Sequence, residues 1–260
     1  MERVFFDSHA HYDDPAFDAD REELLSAVLP AGGVRFVMNV GCDLASSRRA
    51  VELAERYDYI YAAVGIHPGN AEECTPAALD ELRRLAAHPK VRAIGEIGLD
   101  YHYDTPAPEI QRAAFRAQMA LAQELSLPVS VHDREAHGES LAVVREFPAV
   151  RGVFHCFSGS VETGRELTAL GWYLGFTGIV TFKNAKKPAA VAADAPLSRI
   201  LIETDCPYLA PEPHRGRRCD STLLRHTAAR IAEVRGMTEA EAAAATLRSA
   251  CALYRVDAGA

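Results

Sequence analysis

Val91-Arg92-Ala93-Ile94-Gly95-Glu96, followed after Pro108 by Gln111, Phe115, Met119 and Leu125, is the stretch whose reading decides the fold. Val91 to Ile94 is a short apolar run, as expected of a parallel strand covered on both faces. The later apolar positions recur at helical spacing behind a proline, a residue well suited to the first turn of a helix. Together they make one βα unit, with a carboxylate, Glu96, at the end of its strand.

The same alternation extends in both directions. Strands are expected at Val4 to Phe6, Val34 to Val40, Ile60 to Val64, Pro128 to Val131, Gly152 to Phe154, Trp172 to Phe176 and Ile200 to Ile202. Thr75 and Pro76 read as an N-cap and first helical residue for a helix to about Ala87, and two more helices are expected near Thr222 to Val234 and Thr238 to Leu253, parted by Gly236. Close to eight βα units argue for a (β/α)8 TIM barrel, in which chemistry sits at the C-terminal ends of the strands. A doubly wound open sheet is the competing architecture. With no longer repeat, low-complexity segment or Gly/Ser-rich linker, residues 1–260 are expected to form a single domain.

The 260 residues are 48% hydrophobic and 25% charged, a globular composition that excludes fibrous and disordered chains. There is no 18-residue apolar stretch, so no membrane span or membrane partner is expected. The balance of 28 basic against 36 acidic residues gives a net charge of -8, which excludes a protein that coats phosphate backbones by bulk charge. Any contact with nucleic acid must be local. Six cysteines without a CxxC pair read as reduced thiols, and the N-terminus lacks an export signal, so a cytoplasmic location is expected. The sequence points to no protein partner.

The residues at or beyond the strand ends are His9 and His11, His67, Glu96, His132, His155 and Asp205. Any one of these alone is more simply a strand cap or a hydrogen-bonded core histidine. Seven at one end of a sheet describe a site. His9 and His11, two apart in an extended strand, point to one face and can hold one cation together. Histidines and carboxylates without thiolate spacing suit Zn2+, Mn2+ or Fe2+, or Mg2+ where carboxylates and waters dominate. There are more ligands than one ion needs, and a carboxylate shared by two ions is the economical arrangement. Two ions about 3.5–4 Å apart suit hydrolysis of a phosphodiester or acyl bond by a bridging water.

Six segments in order carry a resemblance across nearly the whole chain. They are Phe6-Asp7-Ser8-His9-Ala10-His11, Val64-Gly65-Ile66-His67-Pro68-Gly69, Ala93 to Tyr101 around Glu96, Val131-His132-Asp133-Arg134-Glu135-Ala136, Phe154-His155-Cys156-Phe157-Ser158-Gly159-Ser160 and Ile202-Glu203-Thr204-Asp205-Cys206-Pro207-Tyr208-Leu209. The chain resembles the TatD family of metal-dependent deoxyribonucleases, within the amidohydrolase-like barrels. The resemblance implies a metal-dependent hydrolase barrel with two divalent ions, Mg2+, Mn2+ or Zn2+. One is held by His9, His11, Glu96 and Asp205, the other by Glu96, His132 and His155, with Glu96 bridging. It implies DNA as partner, cleaved from 3' to 5', with Asp205 as general base, while local cationic patches against a net charge of -8 favour a single strand or a chain end over an extended duplex. Glu203, Asp100 and Asp133 are placed to orient ligands.

A phosphate needs further donors, and His67, Arg134 and Arg215 are the candidate substrate contacts, with Ser158, Arg217 and Arg218 nearby in sequence. Lys183, Lys186 and Lys187 form a second local patch. Tyr101, Tyr103, Phe157 and Tyr208 are candidates to stack a terminal base, although loop anchors packing on the barrel are the more frequent role of such aromatics. The family usually follows its basic run with Asn-Glu-Pro, whereas Cys219-Asp220-Ser221 stands here, with Ser221 and Thr222 expected to cap the next helix. Asp13 to Asp20 lacks calcium-loop spacing and reads as a solvated loop. Two rival functions remain at this stage. One is a hydrolase of an ester or amide bond, such as a D-aminoacyl-tRNA deacylase; the other is a non-catalytic metal-binding scaffold.

Overall fold

In a computed structural model that describes residues 4–103 and 105–258, the eight strands are β1 (Phe5–Ala10), β2 (Val34–Val40), β3 (Ile60–Val64), β4 (Val91–Asp100), β5 (Val129–Arg134), β6 (Gly152–Phe154), β7 (Tyr173–Phe176) and β8 (Ile200–Ile202). They follow one another through the sheet in sequence order, and the pairs β3–β4, β4–β5, β5–β6 and β7–β8 are parallel. Just beyond β1 and β8, His11 N–H donates to the Cys206 carbonyl and Asp205 N–H to the His9 carbonyl, both at 2.9 Å. An order without reversal is that of a (β/α)8 barrel; a doubly wound sheet reverses partway. Among the described residues no helix is long and apolar enough to cross a membrane.

The chain divides into two compact units, residues 39–155 and residues 4–38 with 156–258. In the first, the helix Pro108–Leu125 buries Phe115 and Met119 as its period predicts, and it also buries two glutamines. Gln118 accepts from Ile66 N–H and donates to Ile66 O, while Gln111 accepts from Asp100 N–H and donates to Asp100 O. Each side-chain amide thus satisfies both backbone groups of one residue at a strand end. The helix Leu44–Arg56 starts on a capping box between Asp43 and Ser46, and Thr75 caps Pro76–Ala86 as expected.

β4 is longer than its apolar run suggests. It continues through Glu96 to Asp100, with a register shift against β5 between Ile94 and Ile97. A Cβ at Gly98, whose φ is +142°, would collide with the His132 carbonyl oxygen. Glycine there lets the two strands press together where their polar side chains meet. Glu96, expected at the end of this strand, therefore lies inside it, at an irregularity.

In the second unit, residues 21–31 form one helical stretch with a π turn at Leu24–Val28, followed along the chain by the helices Val161–Ala169, Lys186–Asp194, Leu224–Arg235 and Glu239–Tyr254. Gly236 closes the third of these helices in the left-handed conformation. The cap after the basic run differs from expectation. Asp220, not Ser221 or Thr222, caps the turn Ser221–Leu223, and Ser221 is fully buried.

Candidate metal centre

In residues 39–155 one carboxylate gathers the polar side chains. Glu96, on the irregular part of β4, has Oε1 2.7 Å from His132 Nδ1 and 2.8 Å from His155 Nε2. His67 Nε2 lies 3.8 Å from the same oxygen, and the Cys42 thiol donates to Oε2 at 3.5 Å. Glu96 is 4% exposed, and burial alone would raise its carboxyl pKa. The charges of His155 and His67, with hydrogen bonds from His132 and His155, outweigh that and hold it well below the ordinary range. Glu96 is therefore a carboxylate at neutral pH.

The histidines are themselves oriented. His132 sets Nε2 3.1 Å from Asp100 Oδ2, which leaves Nδ1 for Glu96 and for His155 Nε2, 3.3 Å away. His67 Nδ1 accepts from Gly69 N–H at 3.0 Å, so its proton resides on Nε2, facing Glu96. Burial pushes the His67 pKa down to about 4, which makes it a neutral N–H donor at pH 7. Ligand atoms of Glu96, His132 and His155 lie within 4.8 Å of one another, as do those of His67, Asp100 and His132.

In the other unit the imidazoles of His9 and His11 set their Nε2 atoms 3.2 Å apart. Asp205 Oδ1 lies 3.3 Å from His11 Nε2 and 3.8 Å from His9 Nε2. Asp205 has a positive φ of 58°, a conformation aspartate adopts more readily than most residues, and this turns the chain sharply after β8.

Beneath these ligands lies a buried network that the motif reading did not anticipate. Asp7 Oδ1 accepts from Thr204 N–H at 2.9 Å, and Oδ2 from the hydroxyls of Thr204 and Ser221, both at 2.6 Å. Ser221 Oγ also meets Tyr12 Oη at 2.6 Å, and its N–H donates to that oxygen. The network ties the strand bearing His9 to the loop bearing Asp205. Burial pushes the Asp7 carboxyl up to about 7, against the pull of its hydroxyl donors.

The donor set suits divalent ions. Two nitrogens each about 2.0–2.1 Å from a tetrahedral ion stand about 3.3 Å apart. The His9–His11 and His132–His155 pairs have that separation, at 3.2 and 3.3 Å. A second histidine nitrogen fixed by a carboxylate, as Asp100 fixes His132, is the usual support of such a ligand.

The remaining candidates separate into four groups. Glu203 is buried; it accepts from Ser8 Oγ at 3.1 Å and from Cys156 N–H at 2.5 Å, which steadies the residue next to His155. Asp133 bonds His137 and Ser140 at the start of the helix His137–Glu146, so it serves that helix. Arg134 stacks over Tyr103 at 5.4 Å, Arg215 over Phe182 at 4.4 Å, and Arg218 is paired with Asp20. Tyr103 is 61% and Tyr208 56% exposed, with Tyr208 Oη bonded to Asp14, whereas Phe157 is buried and Tyr101 is tied to Glu139. The Cys42 contact was missed because nothing in a lone cysteine marks it. Its place directly after β2, where ligands gather, was the available signal.

Over residues 6–255 the chain matches the family described as TatD related DNase. It belongs to that family. It is 44% identical over 256 residues to the uncharacterized metal-dependent hydrolase YabD of Bacillus subtilis strain 168, covering 98% of this chain and 100% of the relative. It is 35% identical over 257 residues to the 3'-5' ssDNA/RNA exonuclease TatD of Cronobacter sakazakii, covering 96% and 97%. Among solved structures, the TatD homologue YjjV of Escherichia coli K12 superposes with a TM-score of 0.92 at 31% identity, covering 99% of this chain and 100% of that one. The fold is thus the (β/α)8 barrel of the TatD family.

Proposed function

We propose that this TatD-family chain is a divalent-metal-dependent nuclease that removes nucleotides from the 3' end of single-stranded DNA in a reducing, cytoplasmic setting. The observation that carries the reading is the Glu96 group: an ionised, buried carboxylate on which His132 and His155 converge within 2.8 Å. Glu96, His132 and His155 would hold one ion. His9, His11 and Asp205 would hold another, with Glu96 shared between them, as a carboxylate with two oxygens can be. Mg2+, Mn2+ or Zn2+ would supply there an activated water and positive charge against the phosphoryl oxygens.

The chain's own residues do the rest. Asp205, bearing the acceptor oxygens among these groups that lie nearest His11, takes the proton of the attacking water. His67, neutral with its proton on Nε2, donates to a phosphate oxygen. Arg134 and Arg215 offer guanidinium donors to phosphates on the rims of their own units. Asp100 holds the His132 tautomer, and all six cysteines are free thiols, as a reducing compartment keeps them.

The test is cleavage of 5'-labelled single-stranded DNA by metal-stripped protein resupplied with Mg2+, Mn2+ or Zn2+, beside Glu96→Ala and Asp205→Ala. A ladder shortening from the 3' end, restored by metal and abolished by both substitutions, supports the reading. Intact DNA with hydrolysis of a D-aminoacyl-tRNA would move the function to an acyl ester, and silence on both with tight metal binding would leave a scaffold.

A further inference from the structure

Three arginines of residues 156–258 are paired with carboxylates. Arg165 pairs with Asp194, Arg230 with Glu233, and Arg218 with Asp20 from the start of the chain, each within 2.6 Å. Arg235 donates to the carbonyls of Ala192 and Ala195. Against this pattern, Lys183, Lys186, Lys187, Arg215 and Arg217 have no carboxylate at ion-pair distance among the described residues, and all five are exposed. In a chain of net charge -8, five exposed cations without a carboxylate partner, gathered between β7 and the first turn of the helix Lys186–Asp194 and on the loop after β8, make a local positive surface.

The two loops are packed together. Glu212 N–H donates to Thr181 Oγ1 at 2.9 Å, and a Cβ at Gly178 would collide with the Leu209 carbonyl oxygen, so the loop after β7 lies against the loop after β8. Arg215 stacks on Phe182 at 4.4 Å. Ala185 N–H donates to Phe182 O, and Lys186 N–H to Asn184 O, which coils Lys183 and Lys186 around the same spot. His214 O accepts from Arg217 N–H, which closes a turn carrying Arg215. A stacked guanidinium keeps its in-plane N–H donors free and has less rotational freedom to lose on taking a phosphate. Both loops leave C-terminal strand ends, the side of the sheet where Asp205 stands.

We infer that this surface is the track for the sugar-phosphate backbone of the DNA strand beyond the scissile bond, with Arg215 on Phe182 as its clamp and the lysines as its continuation. The inference rests on the nuclease reading and deepens it: the substrate is an extended single strand, held several phosphates away from the cleaved one. A polyanion neutralising Z phosphates on a single strand gives a salt slope of about -0.7Z in log–log form. Three or four contacts correspond to a slope of about -2 to -3.

Fluorescence anisotropy of labelled 4-nucleotide and 16-nucleotide single-stranded DNA, in EDTA and at several KCl concentrations, reads binding without turnover. We expect the wild-type chain to prefer the longer strand. The triple substitution Lys183→Ala, Lys186→Ala and Lys187→Ala should make the salt slope shallower by about 2 and erase at least tenfold of the length preference. Arg215→Ala should weaken both strands, and Arg165→Ala, a charge already paired, serves as the control. Steady-state cleavage of the longer strand with Mn2+ should show the triple loss in KM. Equal salt slopes and an unchanged length preference in the triple variant overturn the track, while wild-type cleavage of DNA leaves the nuclease reading standing. Salt-dependent binding lost in the triple variant, without any DNA cleavage by wild type, retains the track and overturns the nuclease reading. Absence of binding by wild type overturns the track directly.

Discussion

The two groups of ligands are held in place by different means. Around Glu96 the ligands hold one another: one oxygen receives His132 and His155, the other the Cys42 thiol, and Asp100 secures the far side of His132. His9, His11 and Asp205 meet one another at 3.2–3.8 Å. Their support comes from below, through Asp7, Thr204, Ser221 and Tyr12, which fix the backbone on which they stand. A site organised by a charged hub is vulnerable at one residue, whereas a site organised by a hydrogen-bonded floor loses stability before it loses its ligands.

Breaking the hub should have the largest effect. Glu96→Ala removes the partner of three histidines and the oxygens proposed to serve both ions. We expect metal content measured by mass spectrometry to fall from about two ions to fewer than one per chain, and kcat/KM on single-stranded DNA to fall at least about 10⁴-fold. Retention of both ions would refute the shared role of Glu96. Asp205→Asn is the corresponding cut in the other group. With Asp205 as base, kcat should fall about 10²–10⁴-fold while KM stays close to wild type, and a drop confined to metal affinity would leave Asp205 as a ligand only.

The floor is tested through pH. Asp7 is buried and its carboxyl is pushed up to about 7, above its unfolded value near 3.8. A carboxyl shifted upward contributes stability that is full below its unfolded value and is lost as the pH rises through the folded one. Urea unfolding of metal-free protein, compared with Asp7→Asn, should therefore show the wild type losing about 2–4 kcal/mol relative to the variant between pH 4 and pH 7.5. A difference independent of pH would mean that Asp7 is ionised throughout. Asp100→Asn sharpens the contrast from the hub side: losing an orienting carboxylate should weaken metal binding about 10–100-fold with little change in stability.

Much of this was legible in the sequence, for definite reasons. A βα repeat writes its period locally, so the eight strands are legible in order from runs such as Val34 to Val40, and each candidate ligand from its place after an apolar run, although His9, Glu96 and His132 fall inside strands that run further than those apolar stretches. What escaped was non-local. β4 runs on past Gly95 because of how closely it meets β5 at Ser130 and His132, and no local pattern records that approach. The burial of Ser221 depends on Asp7, 214 residues away, and the His67 tautomer depends on a backbone N–H two residues on. Position in the repeat names a residue; its protonation and partners come from packing.

Ser221 carries the last and smallest prediction, and it bears on why this chain departs from the family's usual Asn-Glu-Pro. Its hydroxyl bridges Asp7 Oδ2 and Tyr12 Oη, and its N–H reaches the same tyrosine oxygen. Ser221→Ala removes the bridge and keeps the N–H, so Asp7 retains its Thr204 donors and Tyr12 retains the Ser221 N–H. The expected cost is about 1–2 kcal/mol in denaturant unfolding. Ser221→Pro, which brings in the family's usual residue, also removes the N–H and should cost about 1 kcal/mol more. Because the floor sets stability and the hub is built elsewhere, neither substitution should change the metal held by Glu96, His132 and His155. Loss of that metal in Ser221→Ala would show that the two supports are coupled.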